Sequence, residues 1–400
     1  MPALGTPAEL YYKGAAKSMG KRELLLIAGF LILGAVVYQA TAPPAGPNER
    51  SFSISRLVDH IRREVRGNRA SAEVTTTRTH AIARDVTELR VDGAFAEVTI
   101  VGEERADVET SLRVHSNAYD EAEAKQTAQD TVLLVDRAGA TISFRSKYPQ
   151  PGRQRAFLAI KVPARLRLRV ESSPSQLDVT ALAAVEVPSG RFEATFTRIA
   201  GAVDINQRGG SVKLEDVGSV KMSGRGSDVA MTRVRGEVSI SMQGGELEAA
   251  ELAGPIDIDA TSADIGIRKA EHTRGPVRIN ATAGTISVEG LQADARIDGR
   301  NAEIEVAMAG AAPLAIYNEG DERVEVTLPP GSYTLDARAS NGRITVPEDL
   351  QATFNVEQKG DPNGEQRAYG PAKGGGPTIT LRANHGSITL LSGDARKSER

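Results

Sequence analysis

The feature that most constrains this chain is a short phrase of alternating apolar residues, which recurs at a nearly constant interval between Leu177 and Ala309. Each phrase has apolar residues at its first position, two positions later and five positions later. The alternation is typical of a strand with one buried face, and the third apolar residue marks a corner. The interval is about 18 residues, and a fixed interval of this size indicates a repeat architecture. The phrases begin at Leu177, Ala194, Val212, Val229, Leu247, Ile265, Ile286 and Ile304.

A second short strand follows each corner, so one repeat contains two strands and two corners. The second strand carries its own apolar pair, as in Val203 with Ile205 and Val220 with Met222. A unit of this size cannot bury its apolar face alone and must stack on its neighbours. The sequence therefore predicts an all-β fold, a parallel β-solenoid (β-helix) of two-strand rungs with about 18 residues each. An antiparallel sandwich is the alternative, because it also has short strands at regular spacing.

The N-terminal residues predict a membrane segment. A basic leader precedes an apolar run, and the next basic residue after that run is Arg50. This excess of Lys and Arg places the N-terminus in the cytoplasm and the bulk of the chain across the membrane. A cleaved signal peptide is the alternative, because the apolar core is short and Ala40 to Ala42 resembles a cleavage site. Pro43 would directly follow that site, so an uncleaved single transmembrane helix is favoured. We expect a single-pass inner-membrane (cytoplasmic-membrane) protein whose C-terminal bulk is periplasmic or otherwise extracytoplasmic.

Composition divides the rest of the chain into further segments. The Ala-rich stretch 117–130 predicts a helix inserted among irregular strands and capped by Ser116 or Asn117. The Gly- and Pro-rich stretch from Gly360 to Gly376 predicts an exposed loop. The predicted segments are a cytoplasmic leader at 1–22, an anchor at 23–42, a linker with a short amphipathic helix at 43–71, an irregular β lead-in or cap at 72–170, a regular solenoid at 171–347, a C-terminal loop with closing strands at 348–392, and a disordered tail at 393–400.

Composition and motifs give no catalytic, cofactor-binding or metal residue. The chain has no Cys, so it offers no disulfide, no thiolate metal site and no lipid attachment through Cys. Its five histidines are scattered without metal-ligand spacing, and no nucleophile or phosphate-binding motif is present. The net charge is −3 with both signs interspersed, which gives no electrostatic case for a nucleic-acid partner.

In each strand the residue between the two apolar positions faces outward. Stacked rungs would place these residues in ladders with a step of about 4.8 Å. The ladder of second strands runs Glu186, Asp204, Lys221, Ser239, Asp257, Arg278 and Arg296, and the ladder of first strands runs Asp178, Thr195, Lys213, Ala230, Glu248, Gly266, Ser287 and Glu305.

These ladders allow two interpretations. The first is a polysaccharide-active β-helix lyase or hydrolase, for which Asp257, Asp259, Asp264 and Arg278 are the nearest approach to a site. The second is structural, because opposite charges one rung apart give solubility and in-register pairing. The structural interpretation is favoured, since no catalytic motif accompanies the four residues.

Strand units of the form G-x-V-x-I or S-V-K-L, with corner glycines and a late N-H-G-S-I-T-L unit at Asn384 to Leu390, carry a family resemblance. The stretch from Val86 to Leu391 resembles the bacterial family of proposed adhesins built from β-strand repeats, a domain of unknown function. The resemblance implies a β-solenoid on the cell envelope, often behind one membrane segment, with no catalytic residues to carry across.

Together these observations predict a non-enzymatic, membrane-tethered envelope protein. Its β-solenoid would serve as an adhesin-like scaffold or interaction surface, with envelope-stress sensing as one form of that role. The expected partners are the membrane, envelope proteins or a cell-wall polymer, and no cofactor is expected. Self-association is a further expectation, because the ends of a solenoid are open edges unless they are capped.

Overall fold

A computed structural model describes residues 70–149, 153–172, 174–360 and 364–393. This part of the chain is almost all β, with one α-helix, α1 (Glu121–Gln129), and 3-10 turns at Ala270–His272 and Glu348–Leu350. The strands are β1 (Ala70–Ala81), β2 (Glu88–Asp92), β3 (Glu97–Glu103), β4 (Asp107–Ala118), β5 (Val132–Ala138), β6 (Thr141–Lys147), β7 (Gln154–Pro163), β8 (Arg167–Val170), β9 (Gln176–Thr180), β10 (Ala184–Gly190), β11 (Glu193–Thr197), β12 (Ala202–Val217), β13 (Ser219–Val234), β14 (Val238–Gln243), β15 (Glu246–Ala250), β16 (Ile256–Thr261), β17 (Asp264–Arg268), β18 (Val277–Leu291), β19 (Ala295–Met308), β20 (Leu314–Gly320), β21 (Val324–Leu328), β22 (Tyr333–Ser340), β23 (Ile344–Thr345), β24 (Asn355–Lys359), β25 (Glu365–Ala372), β26 (Thr378–His385) and β27 (Ile388–Ser392).

The predictions for the leader at 1–22, the anchor at 23–42 and the linker helix up to residue 69 lie outside the described residues, as does the predicted tail from residue 394. Within the described ranges, no helix combines the length and the apolar character that a membrane crossing requires.

The repeats stack as parallel rungs. Residues of β12 pair in parallel with those of β13 one repeat later, with Val203 opposite Val220 and Val212 opposite Val229. β12, β13, β18 and β19 each pass through a corner and join two columns of strands, which we call sheet A and sheet B. In space, sheet A runs β5, β6, β2, β8, β10, β12, β13, β14, β16, β18, β19, β20, β26, β22, β25, β24, and sheet B runs β1, β4, β7, β3, β9, β11, β12, β13, β15, β17, β18, β19, β21, β27, β23.

The apolar positions of the phrase form continuous buried columns, as the sequence predicts. Val212, Val229 and Leu247 occupy the same position in three successive rungs and are 2%, 3% and 0% exposed. The corner residues Val217 and Val234 are also buried. Both sheets contribute to one apolar core, so each rung is stabilised by the rungs above and below it.

The corners repeat the same backbone conformation in successive rungs. After the sheet B strand, one residue per rung adopts a left-handed conformation with φ between 55° and 58°, whatever its side chain. The left-handed conformation is sterically unfavourable for residues other than glycine. Its recurrence at one position of each rung therefore shows that stacking imposes this backbone conformation. These residues are Ala181, Arg198, Asp216, Arg233 and Glu251.

The rungs at both ends are not stacked in sequence order. Near the N-terminal end, β2 pairs with both β6 and β8, and β3 pairs with both β7 and β9. The first rung, β2 with β3, therefore lies between two neighbours: β6 and β7 of the N-terminal cap (β4 to β7) on one side, and the second rung, β8 with β9, on the other. Near the C-terminal end, β26 lies between β20 and β22, and β27 lies between β21 and β23. Each end is thus closed by a rung inserted between two others.

Two local predictions need correction. α1 is capped by Asp120, whose carboxylate accepts a hydrogen bond of 2.8 Å from the Glu123 amide, whereas Ser116 and Asn117 belong to β4. The extended pairing of β4 with β1 continues as far as Ala118, which delays the helix start. The stretch predicted as a loop from Gly360 to Gly376 contains β25, which pairs antiparallel with both β22 and β24. Sheet pairing overrides its Gly-rich composition.

Candidate functional site

The outward ladders predicted from the repeat are confirmed by the strand register. In sheet A, Asp204, Lys221, Ser239, Asp257 and Arg278 are successive partners. Glu186 precedes this series and Arg296 follows it. The sheet B ladder from Asp178 to Glu305 is likewise continuous. Outward side chains therefore form straight rows along the stack.

Three of the four residues considered for polysaccharide chemistry lie together on sheet A, and the fourth lies on sheet B. Asp257 and Asp259 lie in β16 of sheet A, and Arg278 is the register partner of Asp257. Asp259 accepts a hydrogen bond of 2.8 Å from Asn280. Asp264 begins β17 of sheet B, beyond a corner, where its carboxylate accepts a hydrogen bond of 3.0 Å from the Thr285 amide. Asp257 and Asp259 line a common surface pocket of about 410 Å³, and Asp264 stands apart from it.

Metal-ligating side chains do not converge in the described part of the chain, where no group of three or more His, Asp or Glu residues could hold an ion. The acidic residues of sheet B line a shallow groove of about 400 Å³ around Lys213, but they are spread over several rungs.

A different cluster stands out at the C-terminal end of sheet A. Tyr317 of β20, Arg382 of β26, Arg338 of β22 and Arg367 of β25 are successive register partners on adjacent strands. We call these four residues the arginine row. The inserted strand β26 creates this row, because it brings Arg382 between Tyr317 and Arg338.

One carboxylate holds the three guanidinium groups. Asp336 forms an ion pair with Arg382, accepts a hydrogen bond of 3.1 Å from Nε of Arg367, and lies 3.5 Å from Nε of Arg338. Burial raises the pKa of the Asp336 carboxyl, but the hydrogen bonds and positive charges of these arginines outweigh burial and hold the pKa below its ordinary value. Asp336 is therefore ionised at neutral pH. The three arginines carry two positive charges more than Asp336, and Glu357, the register partner of Arg367, balances one of them.

Tyrosines stand at both sides of the cluster. The guanidinium of Arg296 lies 4.9 Å from the ring centre of Tyr317, and that of Arg367 lies 4.4 Å from the ring centre of Tyr369. Tyr369 is the register partner of Asp336, and its hydroxyl donates a hydrogen bond of 2.5 Å to Glu357. This hydrogen bond raises the pKa of Tyr369, so the hydroxyl stays protonated. Tyr317 is 37% exposed and is one of three exposed large hydrophobic residues in the described ranges.

The repeat pattern by itself does not single out the arginine row. Each arginine lies between two inward-facing residues of its strand, as Arg382 does between Leu381 and Ala383, so the alternation identifies all three as outward-facing. Their proximity depends on the order in which β20, β26, β22 and β25 stack. The sequence pattern does not predict that order.

The stacked parallel rungs and their outward rows define a β-strand-repeat protein without a recognisable catalytic constellation in the described residues. The chain belongs to the Toastrack DUF4097 family, whose sequence profile matches residues 86–391. This match confirms the resemblance predicted over Val86 to Leu391. Among curated proteins, none matches the chain at a significant level.

Solved structures that match this chain include a proposed cell adhesion protein from Clostridium sporogenes, with a TM-score of 0.18 and 10% identity over 80% of this chain and 100% of that chain. A proposed lipid-binding protein from Parabacteroides distasonis has a TM-score of 0.33 and 17% identity over 62% of this chain and 95% of that chain. A proposed adhesin from Bacteroides fragilis has a TM-score of 0.22 and 10% identity over 80% of this chain and 97% of that chain.

Proposed function

We propose that this chain is a non-enzymatic envelope protein whose stacked strands present an adhesin-like interaction surface outside the cytoplasm. The observation that carries the proposal is the arginine row, a set of like charges held side by side on a rigid sheet. Like charges directly opposite each other on neighbouring strands destabilise a sheet, so an arrangement of this kind favours a binding role over a structural one. The sheet pre-organises the row, which lowers the entropic cost of binding a partner.

The location is proposed on the sequence. The apolar run within residues 23–42 would span the membrane once, and the basic leader would keep the N-terminus in the cytoplasm. The strand stack would then stand on the opposite side of the membrane, where it could contact envelope proteins or a cell-wall polymer. A scaffold in this position could also report envelope stress, if loss of its partner changed what the leader contacts.

The experiment uses the full-length protein in cells. A photo-reactive amino acid replaces Thr380, which lies on β26 beside the arginine row, or Gly266 of sheet B as the matched control. We expect protease added to spheroplasts to digest the strand stack without lysis, and the residue 380 variant to give envelope crosslinks that the residue 266 variant lacks. Digestion only after lysis, or identical crosslinks from both positions, would refute the proposal.

A further inference from the structure

The arginine row carries more positive than negative charge. Arg382, Arg338 and Arg367 stand on three adjacent strands, about 4.8 Å apart in the direction of the stack. The nearby pairs of Arg296 with Asp298 and Arg300 with Glu319 are neutral, so they do not balance the row. Asp336 lies among the three arginines, and Glu357 of β24 is the register partner of Arg367, so the local surplus is one positive charge.

The guanidinium groups retain capacity to bind. The side chains of Arg338 and Arg367 are 40% and 36% exposed. Both contact Asp336 through Nε, and within the described residues their terminal nitrogens donate no hydrogen bond. Two terminal nitrogens of one guanidinium form the fork that binds a carboxylate or a phosphate in a bidentate manner. Arg382 differs, because it also donates to the main-chain oxygens of Asp336 and Leu381 and has a structural share in the sheet.

The shape of the site selects a linear ligand. From Tyr317 to Arg367 the row makes three strand steps, or about 14 Å. A single small anion could occupy only one step of such a row. A chain of repeating anionic units could contact several arginines at once, and the exposed ring of Tyr317 would offer it an apolar platform.

The composition of the surface separates a sugar polymer from a protein partner. Stable protein interfaces have an apolar centre surrounded by a polar rim. The exposed large hydrophobic residues of the described chain are Leu134, Tyr317 and Val356, and only Tyr317 belongs to the row. A flat, charged surface with a single aromatic platform suits a hydrated polymer better than an acidic protein.

The geometry points to the arginine row as a binding site for a linear acidic polysaccharide, whose carboxylates pair with Arg338 and Arg367 while a sugar ring lies against Tyr317. This inference rests on the proposed function and names the ligand class of that surface. It gives Asp336 a second role, because its carboxylate occupies the arginines in the free protein and competes with the carboxylates of the ligand.

The test measures binding of purified full-length protein in mild detergent to immobilised polygalacturonate, with dextran, polyphosphate and poly-glutamate as comparators. We expect binding to polygalacturonate that weakens as salt increases. Arg338→Gln should weaken it about tenfold or more, because one bidentate pair is lost. Arg268→Gln is the matched control: it also removes an exposed arginine that pairs with a carboxylate, but in sheet B, and its affinity should equal that of the wild type.

Two further variants separate the roles. Tyr317→Ala should weaken binding to polygalacturonate while leaving polyphosphate binding unchanged, because only the sugar ring needs the aromatic platform. Arg338→Lys keeps the charge but lacks the fork and should restore only part of the affinity lost in Arg338→Gln. The far-ultraviolet circular dichroism spectrum of each variant shows that it is folded before binding is compared.

Several outcomes would overturn the inference. Tighter binding to poly-glutamate than to polygalacturonate would indicate an acidic protein partner. Equal binding to all polyanions, or no binding to polygalacturonate, would also overturn it. So would an equal loss of affinity in Arg338→Gln and in Arg268→Gln. Any of these leaves the proposed function open to its own crosslinking test. Conversely, a strand stack found inside the cell would refute the proposed function, whatever the binding experiment shows.

Discussion

Replacement of Gly245 by alanine tests the stacking of the rungs at atomic scale. Gly245 lies at a corner between sheet A and sheet B with φ of +91°. A Cβ atom built on it would stand 2.1 Å from the main-chain oxygen of Ser227 in the rung below, and ordinary contact begins at 3.4 Å. The rungs would therefore have to separate by about 1.3 Å (3.4 − 2.1) at this corner, because the clash is with main chain and cannot be relieved by a rotamer change.

Gly226 supplies the control. It occupies a corner of the neighbouring rung with φ of +59°, and a Cβ atom there would meet nothing within 4 Å. Both alanine variants carry the cost of a positive φ, which is about 1 kcal/mol in the left-handed region where Gly226 lies and no smaller at the φ of +91° of Gly245. Only Gly245→Ala adds the cost of overpacking, about 2 kcal/mol. We expect the free energy of unfolding to fall by about 3 kcal/mol in Gly245→Ala and by about 1 kcal/mol in Gly226→Ala.

The assay is guanidinium chloride unfolding of the full-length protein in detergent, followed by far-ultraviolet circular dichroism. If the transition is cooperative and its slope is unchanged, the shift of the midpoint gives the change in stability directly. Hydrogen exchange would show the loss of protection concentrated in β13 and β15, the rungs that meet at Gly245. Equal losses in the two variants would refute the close approach of successive rungs at this corner.

Three further predictions follow from single contacts. Asp336→Asn should lower the free energy of unfolding by about 2 kcal/mol at neutral pH, because the arginines lose their shared charged acceptor. Since the folded pKa of Asp336 is depressed, the stability that its ionised carboxylate contributes is lost as pH falls through that pKa. The free energy of unfolding of the variant should therefore depend less on pH in the acid range than that of the wild type. An unchanged acid limb would show that Asp336 is not the linked group. Asp120→Ala removes the cap of α1 and should cost about 1 kcal/mol, seen as faster hydrogen exchange in the first turn of that helix only. Leu134 of β5 and Val356 of β24 are exposed on the two outermost strands of sheet A. If the protein self-associates end to end, the double variant Leu134→Lys and Val356→Lys should abolish the increase of mass with concentration that light scattering measures. An unchanged increase would place the contact elsewhere.

Much of the fold could be predicted from the sequence because the decisive signal is local. The spacing of Val212, Leu214 and Val217 within one repeat determines which side chains face inward and where the corner falls. The same spacing recurs in the next repeat, which begins at Val229. The outward rows follow from the same spacing, since a residue between two inward positions must face the solvent.

The order of the end rungs could not be predicted, because the repeat is degenerate. Every rung presents the same apolar pair and the same corner, so β26 fits against β20 as well as a strand next in sequence would. The repeat alone predicts that each rung stacks on the rung before it in the chain, and β26 is an exception, because it lies between β20 and β22. The arginine row was missed for this reason, because Arg382 and Arg338 become neighbours only through the insertion. The helix start was misplaced for a related reason, since pairing with β1 extends β4 past Asn117.

The rungs form one continuous stack, in which the last rung of the chain (β26 and β27) lies between the rung of β20 and β21 and the rung of β22 and β23. The direct measurement is electron spin–spin distance between nitroxide labels on cysteines introduced at Ala230 and at Glu305, Thr389 or Thr345, which is practical because the chain has no native Cys. Along sheet B these partners lie four, six and seven rung steps from Ala230, so we expect distances of about 19, 29 and 34 Å. Residue 389 should therefore lie nearer to residue 230 than residue 345 does. A longer distance to residue 389 than to residue 345, or distances that do not grow with the number of rungs, would contradict the account.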